Sequence, residues 1–146
     1  MGEAVSDSVV VQADAAAVWD VIADFDAYPE WNDEIVEAQT LEVGEDGWGT
    51  RAWFRIDAGV LQAEVVLAYA YTDWSLRWWL EEGDKVRRND GTYELDPRED
   101  GTTEVRYELE IEPRVRVPAV LRRQAARRIV ARALEGMRHQ AERAGG

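Results

Sequence analysis

Cysteine is absent from this sequence, and histidine occurs only once, as His139. Without cysteine there is no disulfide, no thiolate metal site and no cysteine nucleophile. Because no second histidine is available to complete a metal site or a catalytic triad, we interpret His139 as a solvated residue near the end of a helix. The sequence therefore assigns no metal ligand, no cofactor and no catalytic residue.

Long hydrophobic runs are also missing. No stretch approaches the roughly eighteen apolar residues of a membrane span, and the first residues, MGEAVSDSVVV, lack the basic region and cleavage site of a signal peptide. We therefore expect a soluble cytoplasmic protein without stable membrane insertion. Its 146 residues are most simply one domain, residues 1–146.

Positive charge is scarce except near the C-terminus, and the net charge is −13. From residue 113 onward there are nine arginines against two glutamates, whereas the preceding residues carry eight basic and 28 acidic side chains. The simplest interpretation is an acidic surface that keeps the protein soluble, with the arginines paired to it or to solvent. A nucleic-acid site needs aromatic platforms on a basic surface. Here the aromatics lie in the acidic part, so we expect no nucleic-acid partner.

The most informative stretch is a long helical pattern over residues 118–143. Pro118 suits a first helical turn, and the alanines, arginines and leucines that follow are good helix formers. At about 1.5 Å per residue this helix is roughly 39 Å long, so that only long strands could cover it. Apolar residues at three- and four-residue steps form one stripe along it, namely Ala126, Ile129, Val130, Ala133, Leu134, Met137 and Ala141.

The rest of the chain has mainly strand patterns. A first strand is followed by a helix that Asp14 caps, over residues 15–25, and by a short turn at residues 27–31. Because short turns join the later strands, we predict an antiparallel meander with the first strand at an edge. Strands are predicted at residues 5–12, 35–43, 48–57, 60–71, 74–80, 85–95 and 103–112, with the sequence NDG interrupting the sixth.

Alternation along the strands predicts which side chains face the helix. It places Trp53 and Trp79 on the outer face of the sheet. In the hairpin register that we infer, Arg88 faces inward near Trp78, unless a bulge at Asp90 and Gly91 turns it to solvent. The large inward-facing residues are Phe54, Tyr69, Trp78, Tyr93 and Tyr107.

Several segments in this order resemble the polyketide cyclase/dehydrase and coenzyme Q-binding branch of the START superfamily (SRPBCC). They are DFDAYPEW, DAGV, WWLEEG, DGTYELDP, GTTEVRYELE and VPAVLRRQAARRIVARALEGM, and the resemblance runs over residues 8–137. It implies an α+β helix-grip fold, in which a curved seven-stranded antiparallel sheet wraps a long C-terminal helix and two short helices follow the first strand. It also implies a hollow between sheet and helix that holds an apolar ligand.

On this resemblance, the inward-facing side chains become candidate ligand contacts. Trp31 is a candidate lid residue, with a packing wedge as the alternative. Arg88, if it faces inward, needs an ion-pair partner or an anionic ligand, because an unpaired buried charge is costly. The candidate ligand-binding residues are Trp31, Phe54, Ile56, Leu67, Tyr69, Trp78, Arg88, Tyr93, Tyr107, Leu109, Ile129, Ala133 and Met137.

The predicted function is binding or carriage of a hydrophobic small molecule, of lipid, polyketide or quinone type. The alternative is a polyketide cyclase, aromatase or dehydrase, which needs a proton donor and acceptor in the cavity. We place no histidine, aspartate or glutamate there, and tyrosine is a poor base unless a cation such as Arg88 lowers its pKa. A helper that presents a lipid to a membrane enzyme, and a protein without ligand, also stay open, as do monomer and homodimer.

Overall fold

The structure, a computed structural model, describes residues 3–59 and 61–145 and consists of one antiparallel sheet with helices on one face. Val60, the first residue of the predicted strand 60–71, lies outside the described residues, as do residues 1, 2 and 146 of the predicted domain. The strands are β1 (Glu3–Val11), β2 (Ile35–Val43), β3 (Gly49–Ala58), β4 (Leu61–Thr72), β5 (Ser75–Gly83), β6 (Val86–Pro97) and β7 (Thr103–Pro113), and the helices are α1 (Ala15–Ala23), α2 (Tyr28–Trp31) and α3 (Ala119–Gly145).

The strand order is β1-β7-β6-β5-β4-β3-β2. Strands β2 to β7 form the predicted meander, and β1 closes one edge by pairing with β7, from Glu3 opposite Ile111 to Val11 opposite Thr103. The helical segment between β1 and β2 carries the chain from one edge of the sheet to the other. This arrangement confirms the predicted helix-grip fold.

The connection between β1 and β2 begins where the sequence predicts. The side chain of Asp14 accepts a hydrogen bond from the backbone N–H of Ala17 at 2.9 Å, which caps α1. A short 3-10 turn, Phe25–Ala27, then leads into α2, where Pro29 lies in the first turn and needs no N–H donor.

The long helix α3 packs its apolar stripe against β1, β7 and α1. The whole predicted stripe is buried apart from Ile129, which is half-buried, whereas Arg127, Arg132 and Arg143 are exposed. Gly136 lies on the same side: a Cβ atom there would be 1.9 Å from the carbonyl oxygen of Trp31, so the backbone of α2 rests directly on α3. Within the described chain, no helix combines the length and apolar character needed to cross a membrane.

Strand β6 differs from the prediction, because the NDG sequence does not interrupt it. The strand runs unbroken through Gly91, which is the Cα partner of Trp78 on β5. A Cβ atom at Gly91 would lie 2.2 Å from the Trp78 ring. Glycine therefore occupies position 91 because the Trp78 ring lies across it, and not because the chain turns there.

Candidate ligand-binding cavity

A cavity lies between the inner face of the sheet and the helices α2 and α3. Its volume is about 70 Å³, measured as the space that the centres of water molecules can occupy. Its walls are mostly aromatic and aliphatic, with a few polar side chains among them. The lining residues are Tyr28, Asn32, Glu34, Ile35, Phe54, Ile56, Ala63, Val65, Leu67, Tyr69, Trp78, Val86, Asn89, Tyr93, Tyr107, Leu109, Ile111, Ile129 and Ala133.

The size of this cavity limits what fits. On the same measure a buried water needs about 10–15 Å³, so the space corresponds to roughly five waters. A dry cavity that binds one benzene molecule is about 150 Å³, and sites for drug-sized ligands are about 300–1,000 Å³. The cavity is therefore about half the size that one aromatic ring needs, and the core is otherwise packed.

The aromatic wall centres on Trp78. Its ring lies 5.4 Å from Tyr107, 5.5 Å from Tyr93 and 6.2 Å from Tyr69, measured between ring centroids. The indole Nε1 donates a hydrogen bond to Oδ1 of Asn89 at 3.2 Å, and the adjoining Cε2–Cζ2 edge of the ring rests on Gly91. The ring is therefore fixed by a hydrogen bond and by packing on both strands beside it.

Most of the predicted contact residues do line this cavity. The alternation that identified them is preserved along β3, β4 and β7 and along the helix stripe. That these side chains contact a ligand stays a prediction. The predicted residues at the cavity are Phe54, Ile56, Leu67, Tyr69, Trp78, Tyr93, Tyr107, Leu109, Ile129 and Ala133.

The placement of Arg88 inside the cavity is wrong. Its side chain is 47% exposed and forms an ion pair with Glu110 at 3.3 Å on the outer face. The cause is a register shift in the β6–β7 ladder, where Val86 pairs with Pro113 but Arg88 pairs with Glu112. The extra residue reverses the alternation, so that Asn89 and not Arg88 turns inward. The sequence allowed for such a bulge but put it at Asp90 and Gly91.

Two other predicted contacts are buried outside the cavity. Trp31 packs with its ring centroid 4.8 Å from that of Tyr28 and with its backbone against Gly136, as the packing-wedge alternative expects, and it does not line the cavity. That Trp31 acts as a lid stays a prediction. Met137 is fully buried one helical turn beyond Ala133, within the core but away from the cavity wall.

The main functional group that the sequence did not predict is the carboxylate of Glu34. Only 3% of this residue is exposed, and it lines the cavity. Its Oε2 accepts a hydrogen bond from Nε of Arg128 at 2.7 Å, whereas its Oε1 is buried without a hydrogen-bond partner. Two backbone hydrogen bonds fix its position, from its own N–H to Oδ1 of Asn32 and from the N–H of Asp57 to its carbonyl oxygen.

The remaining lining residues were missed for simpler reasons. Asn32 and Glu34 lie in the irregular segment between α2 and β2, where no alternation assigns a direction, and Asn89 was hidden by the bulge. The apolar ones, although several were expected to face inward, were not chosen as contacts. The lining residues absent from the predicted set are Tyr28, Asn32, Glu34, Ile35, Ala63, Val65, Val86, Asn89 and Ile111.

Burial keeps the cavity tyrosines protonated. Desolvation is the largest cause that raises the pKa of Tyr28, Tyr69, Tyr93 and Tyr107, and for Tyr107 the negative charge of Glu34 adds to it. The Tyr28 hydroxyl donates to the carbonyl oxygen of Ile22. These tyrosines are therefore hydrogen-bond donors at neutral pH and not bases. Across residues 3–59 and 61–145, no cluster of three or more His, Asp or Glu side chains could hold a metal ion.

A family model described as polyketide cyclase/dehydrase and lipid transport matches residues 11–138. The chain belongs to this family. The match spans the sheet from the end of β1 onward and most of α3, and so includes every residue that lines the cavity. No protein of curated function matches the sequence.

Solved structures with the same fold include a START superfamily protein and an aromatase/cyclase. A START superfamily protein of Mycobacterium smegmatis is 22% identical, with 97% of this chain and 98% of that chain covered and a TM-score of 0.89. The Zhui aromatase/cyclase of a Streptomyces species is 18% identical, with 100% and 99% covered and a TM-score of 0.81. A Thermus thermophilus protein is 18% identical, with 99% and 100% covered and a TM-score of 0.82. At such identities the likeness shows the fold.

Proposed function

We propose that this chain, as a single domain, binds a small hydrophobic molecule in the cavity between the sheet and α3. The observation that carries the proposal is the cavity itself, which is lined by apolar and aromatic side chains with a few polar groups among them. This composition is typical of small-molecule sites, in which apolar walls supply affinity and placed polar groups supply orientation. Membership of a family described by polyketide chemistry and lipid transport supports the same class of ligand.

The dimensions of the cavity refine the proposal. A ligand the size of one aromatic ring needs only a small outward movement of the cavity walls. A lipid, a quinone with its tail or a polyketide chain requires the helices and the sheet to move apart. Ile35, Ile56 and Ile129 are the half-buried members of the lining, and they mark the rim at which such an opening begins.

Catalysis on a polyketide-like chain is the second candidate. The buried carboxylate of Glu34 favours it, because a cyclase or dehydrase needs a proton acceptor in its cavity. The similarity in fold to an aromatase/cyclase adds support. Binding is the better-supported function, because a small ligand demands much less rearrangement of this cavity than a polyketide chain does.

The test is a comparison of two leucine substitutions on α3. Ala133 lines the cavity and is 2% exposed, whereas Ala131 lies on the exposed side of the same helix. Fluorine NMR of para-fluorotoluene measures binding to the wild type, Ala133→Leu and Ala131→Leu. Native mass spectrometry of freshly purified wild type, followed by organic extraction, identifies any molecule that copurifies.

We expect Ala133→Leu to abolish binding of para-fluorotoluene by filling the cavity, and Ala131→Leu to bind as the wild type does. Thermal unfolding confirms that both variants are folded. No binding to the wild type, together with a mass that shows no adduct, would overturn the proposal and favour a protein whose core is simply packed.

A further inference from the structure

Glu34 is an unusual residue to find on the wall of an apolar cavity. The exposed fraction of Glu34 is 3%, and one of its two carboxylate oxygens, Oε1, has no hydrogen-bond partner. Buried acceptors are rarely left without a donor, because the unmade bond destabilises the fold. A group that stays in this state is therefore a candidate for a role that the protein alone does not complete.

The carboxylate is also fixed in place before any ligand arrives. Arg128 holds Oε2, and backbone hydrogen bonds with Asn32 and Asp57 fix the residue from both sides. Because a fixed group loses little freedom when it binds, its hydrogen bond contributes more to affinity than that of a mobile side chain. Only the Oε1 position remains available to accept.

The charges around Glu34 limit which ligand groups can donate a hydrogen bond to its Oε1. The guanidinium of Arg128 already offsets the negative charge, so a cationic ligand finds no unpaired anion to match it. An anionic ligand is repelled by the carboxylate and has to be desolvated among aromatic rings. An uncharged hydroxyl group satisfies Oε1 without bringing a second charge into the cavity.

We propose that Glu34 makes the cavity selective for an aromatic ring that carries a hydroxyl group, so that phenols are the ligand class of this site. The apolar wall formed by Trp78, Tyr93 and Leu109 contacts the ring, and Oε1 of Glu34 accepts the hydrogen bond from the hydroxyl. This inference rests on the proposed function, because it needs a cavity that takes a ligand.

The experiment compares three probes of similar size by fluorine NMR: para-fluorophenol, para-fluorotoluene and para-fluorobenzoate. The protein is the full chain as wild type, Glu34→Met and Glu37→Met. Methionine keeps the length of the side chain and removes the acceptor. Glu37 is the matched control, because it pairs with Arg55 as Glu34 pairs with Arg128 but lies exposed on β2, away from the cavity.

In the wild type we expect the phenol to bind more tightly than the toluene, although the toluene is the more apolar, and the benzoate not to bind. Glu34→Met should weaken binding of the phenol by about tenfold or more relative to the toluene, since hydrogen bonds to charged groups are among the stronger ones. Glu37→Met should leave the ratio of the two affinities unchanged.

Failure of the phenol selectivity and failure of the proposed function give different results in this experiment. If the wild type binds the toluene as tightly as the phenol, or if Glu34→Met leaves their ratio unchanged, the phenol selectivity is overturned while the cavity remains a binding site. If the wild type binds neither probe, this inference is overturned, and the proposed function fails with it when native mass spectrometry also shows no adduct. If Glu34→Met does not fold, the affinities of the wild type for the three probes decide whether the site selects phenols.

Discussion

The indole ring of Trp78 lies directly over Gly91 on the neighbouring strand. A Cβ atom at Gly91 would stand 2.2 Å from the ring, and a second contact, with the carbonyl oxygen of Glu108, would be 2.7 Å long. Because Trp78 forms part of the cavity wall, the absence of a side chain at Gly91 determines where this wall lies. The glycine therefore links the packing of β6 to the shape of the proposed ligand site.

Replacement of Gly91 by alanine tests this link. We expect Gly91→Ala to lower the free energy of unfolding by about 1–3 kcal/mol, because the new methyl group overpacks the ring and the backbone behind it. Urea denaturation measures the loss, and tryptophan fluorescence reports the displaced ring. Thr92→Ala, on the next and half-buried residue, should change stability less. An unaltered stability for Gly91→Ala would contradict the close packing of Gly91 against the Trp78 ring.

A second prediction concerns the two faces of the sheet. Trp78 and Tyr107 line the cavity, whereas Trp79 is 39% exposed on the outer face, with Arg77 over its ring at 5.9 Å. Trp78→Ala and Tyr107→Ala should weaken ligand binding by about tenfold or more, because each removes an aromatic contact. Trp79→Ala should leave the affinity unchanged. Equal losses in all three variants, measured by NMR titration, would contradict the assignment of the faces.

The fold could be predicted from the sequence because its signals are regular. Strand β7 alternates without a break from Thr103 to Ile111, and every inward residue is buried. The α3 stripe keeps its helical spacing over the whole helix. Where one residue is inserted, as between Val86 and Arg88, alternation counted from Val86 points to the wrong face, although it is regular again from Asn89 to Leu95. No local feature of the sequence locates the insertion.

The buried carboxylate at the cavity could not be predicted, for a different reason. Glu34 follows a four-residue helix and precedes a strand, so neither periodicity applies to it. Its burial depends on Arg128, which is 94 residues away in the chain. A charged residue in such a segment is normally solvated, and only the tertiary structure shows that this one has an arginine partner.

The buried tyrosines predict how stability changes with pH. Burial raises the pKa of all five tyrosines above the usual value of 10.0, so the folded protein binds protons more tightly than the unfolded chain does. Their contribution to stability is complete below about pH 10 and declines as the pH rises above it. We expect tyrosinate absorbance to appear together with loss of the circular dichroism signal. Full ionisation near pH 10 in a folded protein would contradict this prediction.

Gly136 gives a prediction that opposes helix propensity. In an exposed helix, glycine to alanine stabilises by about 1 kcal/mol. Here a Cβ atom would lie 1.9 Å from the carbonyl oxygen of Trp31, which belongs to rigid backbone. Gly136→Ala should therefore destabilise the protein or separate α2 from α3. Thermal unfolding measures the effect, and Arg132→Ala, on the exposed side of α3, is the control that should change little.

The ion pair between Glu34 and Arg128 predicts that replacing Arg128 destabilises the protein more than replacing Glu34 does. Arg128→Met leaves a buried carboxylate without its partner and should lower the free energy of unfolding by about 1–3 kcal/mol. Glu34→Met leaves behind only an arginine that is 49% exposed and free to reach solvent, so it should lower the free energy of unfolding by less. The double variant should recover most of the stability that Arg128→Met loses. The exposed pair of Arg55 and Glu37 is the control, for which a double-mutant cycle should give a coupling of about 0–1 kcal/mol. If Arg128→Met proves no more costly than Arg55→Met, then water satisfies Glu34 within the cavity, and a ligand hydroxyl has to displace that water in order to bind.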